Sequence, residues 1–302
     1  MNKEIENVTI DKPGLSREEQ SKFVEETTRK IKELRKFIKD LPEETPAQKA
    51  QKAARLDRIP EIRDAVKKVA KRLDYPIEKI TISKRKETFT LNGRQFDYAG
   101  AAYLEGNRKG EIEIYPLGIS IGTSAKEIEG VVAHEIQHQR WQKVSEVWAA
   151  ENKAVMQDPE IKEQKWEMPG GRKVDGMKPD GHLRPPLDKK YPIYELFVDF
   201  SVTDLKEEDG VTEYSRDWWK AFEKGEATST QTVHETFAEI AHLEQKFGVG
   251  VDKLVAVKPQ WRKWYKRVQK LYEAIEKNEN RERDLDEKFM QKMKKELPEM
   301  FK

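Results

Sequence analysis

Two histidines and the glutamate beside the first of them are the residues of this chain whose types and spacing could do chemistry. His134, Glu135 and His138 form the pattern His-Glu-x-x-His in a stretch whose sequence is typical of a helix. An α-helix turns once in about 3.6 residues, so both imidazoles project from one face and can reach one Zn²⁺ at about 2.0–2.1 Å. Glu135 lies roughly 100° around the helix. There it flanks the metal and can accept a proton from a metal-bound water.

Composition restricts both the kind of metal site and the partners. The chain has no cysteine, so disulfides and thiolate sites are excluded, and zinc would have to be held by histidine and carboxylate side chains. Charged residues are abundant, but the net charge is only +2, which gives no reason to expect a nucleic-acid or membrane partner. The N-terminal residues lack an apolar signal segment. We therefore expect a cytoplasmic protein, or one exported by a route that needs no such signal.

A catalytic zinc usually takes a third protein ligand and keeps a fourth position for water. One class of site supplies that ligand within His-Glu-x-x-His-x-x-Gly-x-x-His, but here Trp141 and Val144 stand where the glycine and the last histidine would be. A later stretch instead offers Glu235 and Glu239, four positions apart and facing the same way. One carboxylate could bind the metal while the other accepts a hydrogen bond from a ligand imidazole.

With these motifs the chain resembles gluzincin-type zinc metallopeptidases, specifically the branch that includes the catalytic domain of anthrax lethal factor. Three motifs carry the resemblance, which covers roughly residues 105–245. In chain order they are His134-Glu135-x-x-His138, Thr212-Glu213-Tyr214-Ser215 and Glu235-Thr236-Phe237-Ala238-Glu239.

The resemblance implies a role for each matching residue. Zinc would be the cofactor, with His134, His138 and Glu235 as its ligands. Glu135 would be the general base, and Glu239 would support the ligands without binding the metal.

Tyr214 would stabilise the oxyanion, again by resemblance. In the related peptidases this tyrosine lies shortly before the ligand glutamate, whereas here residues 216–231 form an apparent insertion. That departure leaves Tyr191 and Tyr194 as alternatives.

We do not assign the other closely spaced polar residues to the metal site. Glu195 and Asp199, four apart among aromatic and aliphatic residues, are typical of the polar side of a packed helix. For His234 and His242, which flank the glutamate pair, we expect local hydrogen bonds rather than metal binding. His182 lies in a stretch rich in proline and glycine, where a solvated side chain is expected.

Hydrophobic periodicity predicts the elements that would position the site. Alternating residues predict strands at 80–82, 88–91 and 110–116, and Asn92-Gly93 is the favoured two-residue hairpin turn. Ser124 and Glu127 form a capping box, so the His-Glu-x-x-His helix is expected to run from about Ala125 to about Val155. Helices are also expected over 47–73 with a break at Pro60, over 232–247, and from Trp261 onwards.

The sequence therefore predicts an α+β fold that is predominantly helical. A zincin-like metallopeptidase domain at 76–250, with a small sheet before the His-Glu-x-x-His helix, would be flanked by charged helical arms at 1–75 and 251–302. The expected function is that of a zinc-dependent endopeptidase with a protein or peptide substrate, and the arms are the expected surface for a protein partner. The alternative is a non-catalytic structural or interaction protein whose zincin-like scaffold is stabilised by metal.

Overall fold

The described part of the protein is mostly helical, with a small sheet and two hairpins, as expected for the α+β class. The computed structural model describes residues 44–159, 165–167, 173–175, 190–202 and 206–296, together with positions 22, 25, 26, 28, 29 and 32. The contacts divide the chain into two compact units, Met1–Lys52 and Ala53–Lys302. Among the described helices, none is both long and apolar enough to cross a membrane.

Among the described elements, two helices precede the first five strands, one long helix follows them, and the last two strands precede the remaining four helices. The described helices are α1 (Pro46–Leu56), α2 (Ile59–Arg72), α3 (Ala125–Gln157), α4 (Pro192–Val202), α5 (Glu213–Glu223), α6 (Ser229–Phe247) and α7 (Pro259–Glu296). The strands are β1 (Ile80–Ile82), β2 (Thr88–Leu91), β3 (Arg94–Asp97), β4 (Gly100–Ala102), β5 (Ile112–Ile114), β6 (Lys165–Glu167) and β7 (Lys173–Asp175).

A three-stranded sheet precedes α3 in the chain, as predicted. β5 is its central strand, and both Ile112 and Ile114 are fully buried. β1 pairs with β5 in parallel, whereas β4 pairs with it antiparallel and places Gly100 opposite Ile114. No described strand pairs with the other side of β4, so β4 is an edge of this sheet.

β2 and β3 form the predicted hairpin. Asn92 and Gly93 have φ angles of 51° and 73°, the left-handed conformation that a type I′ turn requires and that these two residues tolerate best. The register places Phe89 opposite Phe96 on one face and Thr90 opposite Gln95 on the other. The two phenylalanines are half-buried and the two polar residues are exposed, so the hairpin has an apolar face and a solvent face.

α3 is the helix around which the other elements pack. Ser124 accepts a hydrogen bond from the Glu127 amide and Glu127 bonds back to the Ser124 amide, which confirms the capping box and the start at Ala125. The helix continues slightly past the expected end, to Gln157. α2, α4, α6 and α7 all contact α3. This explains why its buried residues occur around the whole helix and not along one stripe.

α2 and α7 share one core with the sheet and α3. α1 ends at Leu56 and α2 begins at Ile59, with Pro60 in the first turn, where a missing amide hydrogen is not needed. α2 contributes buried residues at 62, 65, 66, 69 and 70. α7 contributes Trp261 and Trp264, each of which is only 1% exposed. The predicted boundaries at residues 75 and 250 differ from the division into compact units, and the domain organisation that they describe stays a prediction.

Glu129 ties α2 to the first turns of α3. Its side chain is only 4% exposed and lies 2.6 Å from Lys68, 3.1 Å from Arg72 and 3.0 Å from Lys126. Burial raises the pKa of this carboxyl, but hydrogen bonds from the three cations outweigh burial and lower the pKa to about 2. The charged form of Glu129 is therefore the one that stabilises the fold.

Replacing Glu129 by glutamine should make stability less dependent on pH. The folded-state pKa lies below the ordinary 4.5, so the charge stabilises above about pH 4.5, and this contribution is lost as the pH falls towards 2. We expect Glu129→Gln to be less stable than the wild type at pH 7, by a margin that shrinks by about 2 kcal/mol at pH 3. Urea unfolding at both pH values, with a chelator in every sample, measures the margin. A margin that does not change would contradict this role.

Candidate metal centre

α3 and α6 bring the two predicted ligand motifs together. The helices pack along each other, and α6 can approach because position 130 on α3 has no side chain. A Cβ at Gly130 would lie 2.9 Å from the ring of His242 on α6, closer than real contacts allow. The polar residues of both helices consequently line the same cavity.

Three side-chain atoms converge in this cavity. The Nε2 atoms of His134 and His138 are 3.0 Å apart. Glu235 Oε2, from α6, lies 3.4 Å from His134 Nε2 and 3.7 Å from His138 Nε2. Ligand atoms around a tetrahedral zinc with bonds of about 2.0–2.1 Å are themselves about 3.3 Å apart. The spacing of the three atoms thus suits a single metal ion.

The surroundings of these atoms also suit a cation. Glu235 Oε2 is shielded from solvent and has no hydrogen-bond donor among the described residues. A carboxylate oxygen buried in this way costs free energy unless a positive charge compensates it. Two imidazole nitrogens that face each other and this oxygen supply lone pairs for a divalent ion. The three residues therefore fit a metal ion.

Glu239 contacts the other side of the first ligand. Its Oε1 lies 2.9 Å from His134 Nδ1, and its Oε2 accepts a hydrogen bond of 2.6 Å from Thr212. Thr212 is the N-cap of α5. The carboxylate thus fixes the orientation of the His134 ring and links it to the helix that carries Tyr214.

Comparisons of this chain with protein-family models, with curated proteins and with solved structures found no match. The resemblance to gluzincins therefore stays a prediction. What the residues can do follows from their positions in the cavity.

Burial and neighbouring charges tune the two imidazoles differently. Burial lowers the pKa of His134, but the carboxylates of Glu235 and Glu239 outweigh it and raise that pKa well above its ordinary value. Burial, reinforced by the neighbouring His234 and His134, holds the pKa of His138 well below 6.5. His138 is therefore neutral, with a lone pair available for a metal.

Glu135 lies in the wall of the same cavity and is only 6% exposed. Burial raises the pKa of its carboxyl to about 7, although His134 nearby opposes the shift. The backbone amide of Ala102 in β4 also opposes this rise in the pKa. A carboxylate whose pKa is close to neutral can both accept and return a proton.

Tyr214 lines the cavity, and its ring centroid is 6.0 Å from that of His134. Burial and the carboxylate of Glu235 raise its pKa well above 10, so the phenol stays protonated and can donate. The two alternative tyrosines contact other parts of the protein. Tyr191 donates to Asp158 over 3.2 Å, and Tyr194 is buried within α4. Much of the apparent insertion after Tyr214 is the body of α5.

Of the other polar candidates, Glu195 and His234 have local partners. Glu195 pairs with Arg267 of α7 at 2.7 Å. His234 Nε2 lies 3.2 Å from the His138 carbonyl, and His242 packs against Gly130. His182 and the side chain of Asp199 lie outside the described residues.

Gly100 is a residue of the site that the sequence analysis did not single out. A Cβ at this position would meet Cγ and Oε1 of Glu135 at 2.7 Å and Cδ at 2.9 Å. Glycine in a strand can signal such a close approach, but its partner, 35 residues later by number (Gly100 to Glu135), is not readable from the pattern. Gly100 lets the Glu135 carboxylate lie against β4.

A double-mutant cycle tests this contact without any assumption about activity. Gly100→Ala should destabilise the fold by about 1–3 kcal/mol, because the added methyl overlaps Glu135. The same change should cost much less in a Glu135→Ala background, a coupling of about 1 kcal/mol or more. Gly122→Ala, where an added Cβ meets no atom within 4 Å, is the matched control. Additive effects in thermal unfolding would contradict the contact.

Proposed function

We propose that this protein is a zinc-dependent endopeptidase with a zincin-like domain. The observation that carries the proposal is the convergence of two imidazoles and one carboxylate beside a second buried carboxylate, Glu135, in one cavity. Structural zinc sites are usually closed by four protein ligands, whereas catalytic sites use three and keep one position for water or substrate. The set of three ligands found among the described residues favours catalysis.

Zinc is the proposed ion because two histidines and one glutamate are a typical ligand set of catalytic zinc. His134, His138 and Glu235 would hold it. When bound, zinc acts as a Lewis acid that activates water and polarises a carbonyl group. Glu239 would keep His134 oriented through Nδ1, which leaves Nε2 for the metal.

Proton transfer is assigned to Glu135 and charge stabilisation to Tyr214. The Glu135 carboxylate would take a proton from the attacking water and deliver it to the nitrogen of the leaving amine. The protonated phenol of Tyr214 would donate a hydrogen bond to the substrate oxygen as that oxygen gains negative charge.

The edge of β4 supports a polypeptide substrate. Ala99 and Tyr103 form backbone hydrogen bonds with the residues that flank β5, so the alternate positions Gly100 and Ala102 direct their backbone groups away from β5. Both residues line the cavity. An extended peptide could pair with this edge and bring one of its bonds to the metal centre.

A non-catalytic scaffold is the competing proposal. Such a scaffold has no need of Glu135, since a buried carboxylate that binds no metal only lowers stability. The cytoplasmic location and the absence of nucleic-acid partners expected from the sequence remain part of the peptidase proposal.

Replacing Glu135 by glutamine distinguishes a peptidase from a non-catalytic scaffold. We expect hydrolysis of a mixed peptide library, followed by mass spectrometry, to fall at least about 100-fold, because an amide cannot accept the proton. Zinc content should not change, because Glu135 is not a proposed ligand. Glu146→Gln, a change of the same type farther along α3, is the matched control and should retain activity. Undiminished hydrolysis by Glu135→Gln would contradict the assignment.

A further inference from the structure

The hairpin β2–β3 forms part of the wall of the cavity that contains the metal centre. Phe89 and Phe96 from the hairpin, and Tyr98 just after it, line the cavity. The Phe89 ring lies 5.3 Å from Phe96 and 4.5 Å from Tyr98, and it meets Tyr214 edge-on at 6.4 Å. These rings form a continuous aromatic surface that ends beside the ligand His134, whose ring is 6.0 Å from that of Tyr214.

Phe89, Phe96 and Tyr98 are called the aromatic wall. Hydrogen bonds between the hairpin turn and the helix α5 fix the position of this wall. Asn92 in the turn donates to the Asp217 carbonyl of α5 over 2.6 Å and accepts from Lys224 over 3.1 Å. The position of the wall relative to Tyr214 and the metal centre is therefore set before any ligand binds.

The base of the hairpin is held as well. Asp97, the last residue of β3, forms ion pairs with Lys86 at 3.0 Å and with Arg55 at 3.8 Å. A surface that is already ordered loses little conformational entropy on binding, which favours affinity.

The wall is apolar but only half-buried. Phe89, Phe96 and Tyr98 each keep part of their surface exposed, whereas Thr90 and Gln95 occupy the solvent face of the same hairpin. Removing aromatic surface from water contributes about 25 cal/mol per Å², and concave sites lined by aromatic rings with a few polar groups are typical of ligand pockets. A large apolar side chain would cover these rings.

We propose that the aromatic wall is a specificity subsite, which selects polypeptide segments that carry a large apolar or aromatic side chain near the bond to be cleaved. The inference rests on the proposed function and names the substrate class for that site. The cavity volume of 560 Å³ leaves room for such a side chain beside the metal centre.

Peptide hydroxamates are the probe, because a hydroxamate binds zinc whether or not the protein cleaves peptides. Two compounds that differ only in one side chain, benzyl or hydrogen, are titrated into zinc-loaded protein by calorimetry. We expect the benzyl compound to bind at least about 10-fold more tightly to the wild type. That ratio should fall below about 3-fold in Phe96→Ala and remain in Gln95→Ala, the matched control on the solvent face of β3.

Asn92→Gly is the second variant. It tests the subsite if Phe96→Ala fails to retain zinc. Glycine keeps the left-handed turn but removes both bonds from the tip to α5, so the ratio should also fall, by at least about 3-fold. Equal binding of the two compounds to the wild type, or a ratio unchanged in both variants, would overturn the subsite. Failure of the proposed function would give a different result from failure of the subsite. The wild type would then discriminate between the hydroxamates but cleave no peptide in the library.

Discussion

His134 Nε2, His138 Nε2 and Glu235 Oε2 are held 3.0–3.7 Å apart in the cavity, and the rest of the structure depends on how this is done. The two histidines lie on α3 and Glu235 lies on α6, which is not the next helix in the chain, so their distance is set by packing rather than by local spacing. Gly130 lets α6 lie close to α3, and α2, α4 and α7 cover other sides of α3. The long central helix is thereby fixed in place, and its imidazoles with it.

Buried charge is the second constraint, because the site contains three carboxylates and little water-exposed surface. The three carboxylates have different surroundings. Glu239 contacts the His134 ring and Thr212, Glu135 lies against β4 at Gly100, and Glu235 Oε2 faces the two imidazole nitrogens without a hydrogen-bond donor among the described residues. The contacts also connect elements. They run from α3 to α6 and on to α5, so His134 is linked through Glu239 to Thr212, at the start of the helix that carries Tyr214.

The parts of this site that follow local rules were predictable from the sequence. Helical periodicity places His134 and His138 on one face, the capping box sets the start of α3, and Asn92-Gly93 sets the hairpin turn. The parts that depend on long-range packing were not. No pattern shows that the hairpin bends its aromatic face towards the metal centre, or that Gly100 lies against Glu135. A helix was expected in this part of the chain, but its packing against α3 was not.

Zinc content is the most direct test of the central claim, since it needs no substrate. Wild type, Glu235→Gln and Glu226→Gln, an exposed glutamate on the turn before α6, are purified identically and analysed for metals after dialysis against a fixed free zinc concentration. We predict about one zinc per chain in the wild type and the control, and a large loss in Glu235→Gln. Full zinc content in Glu235→Gln, or a wild type that binds none, would contradict it.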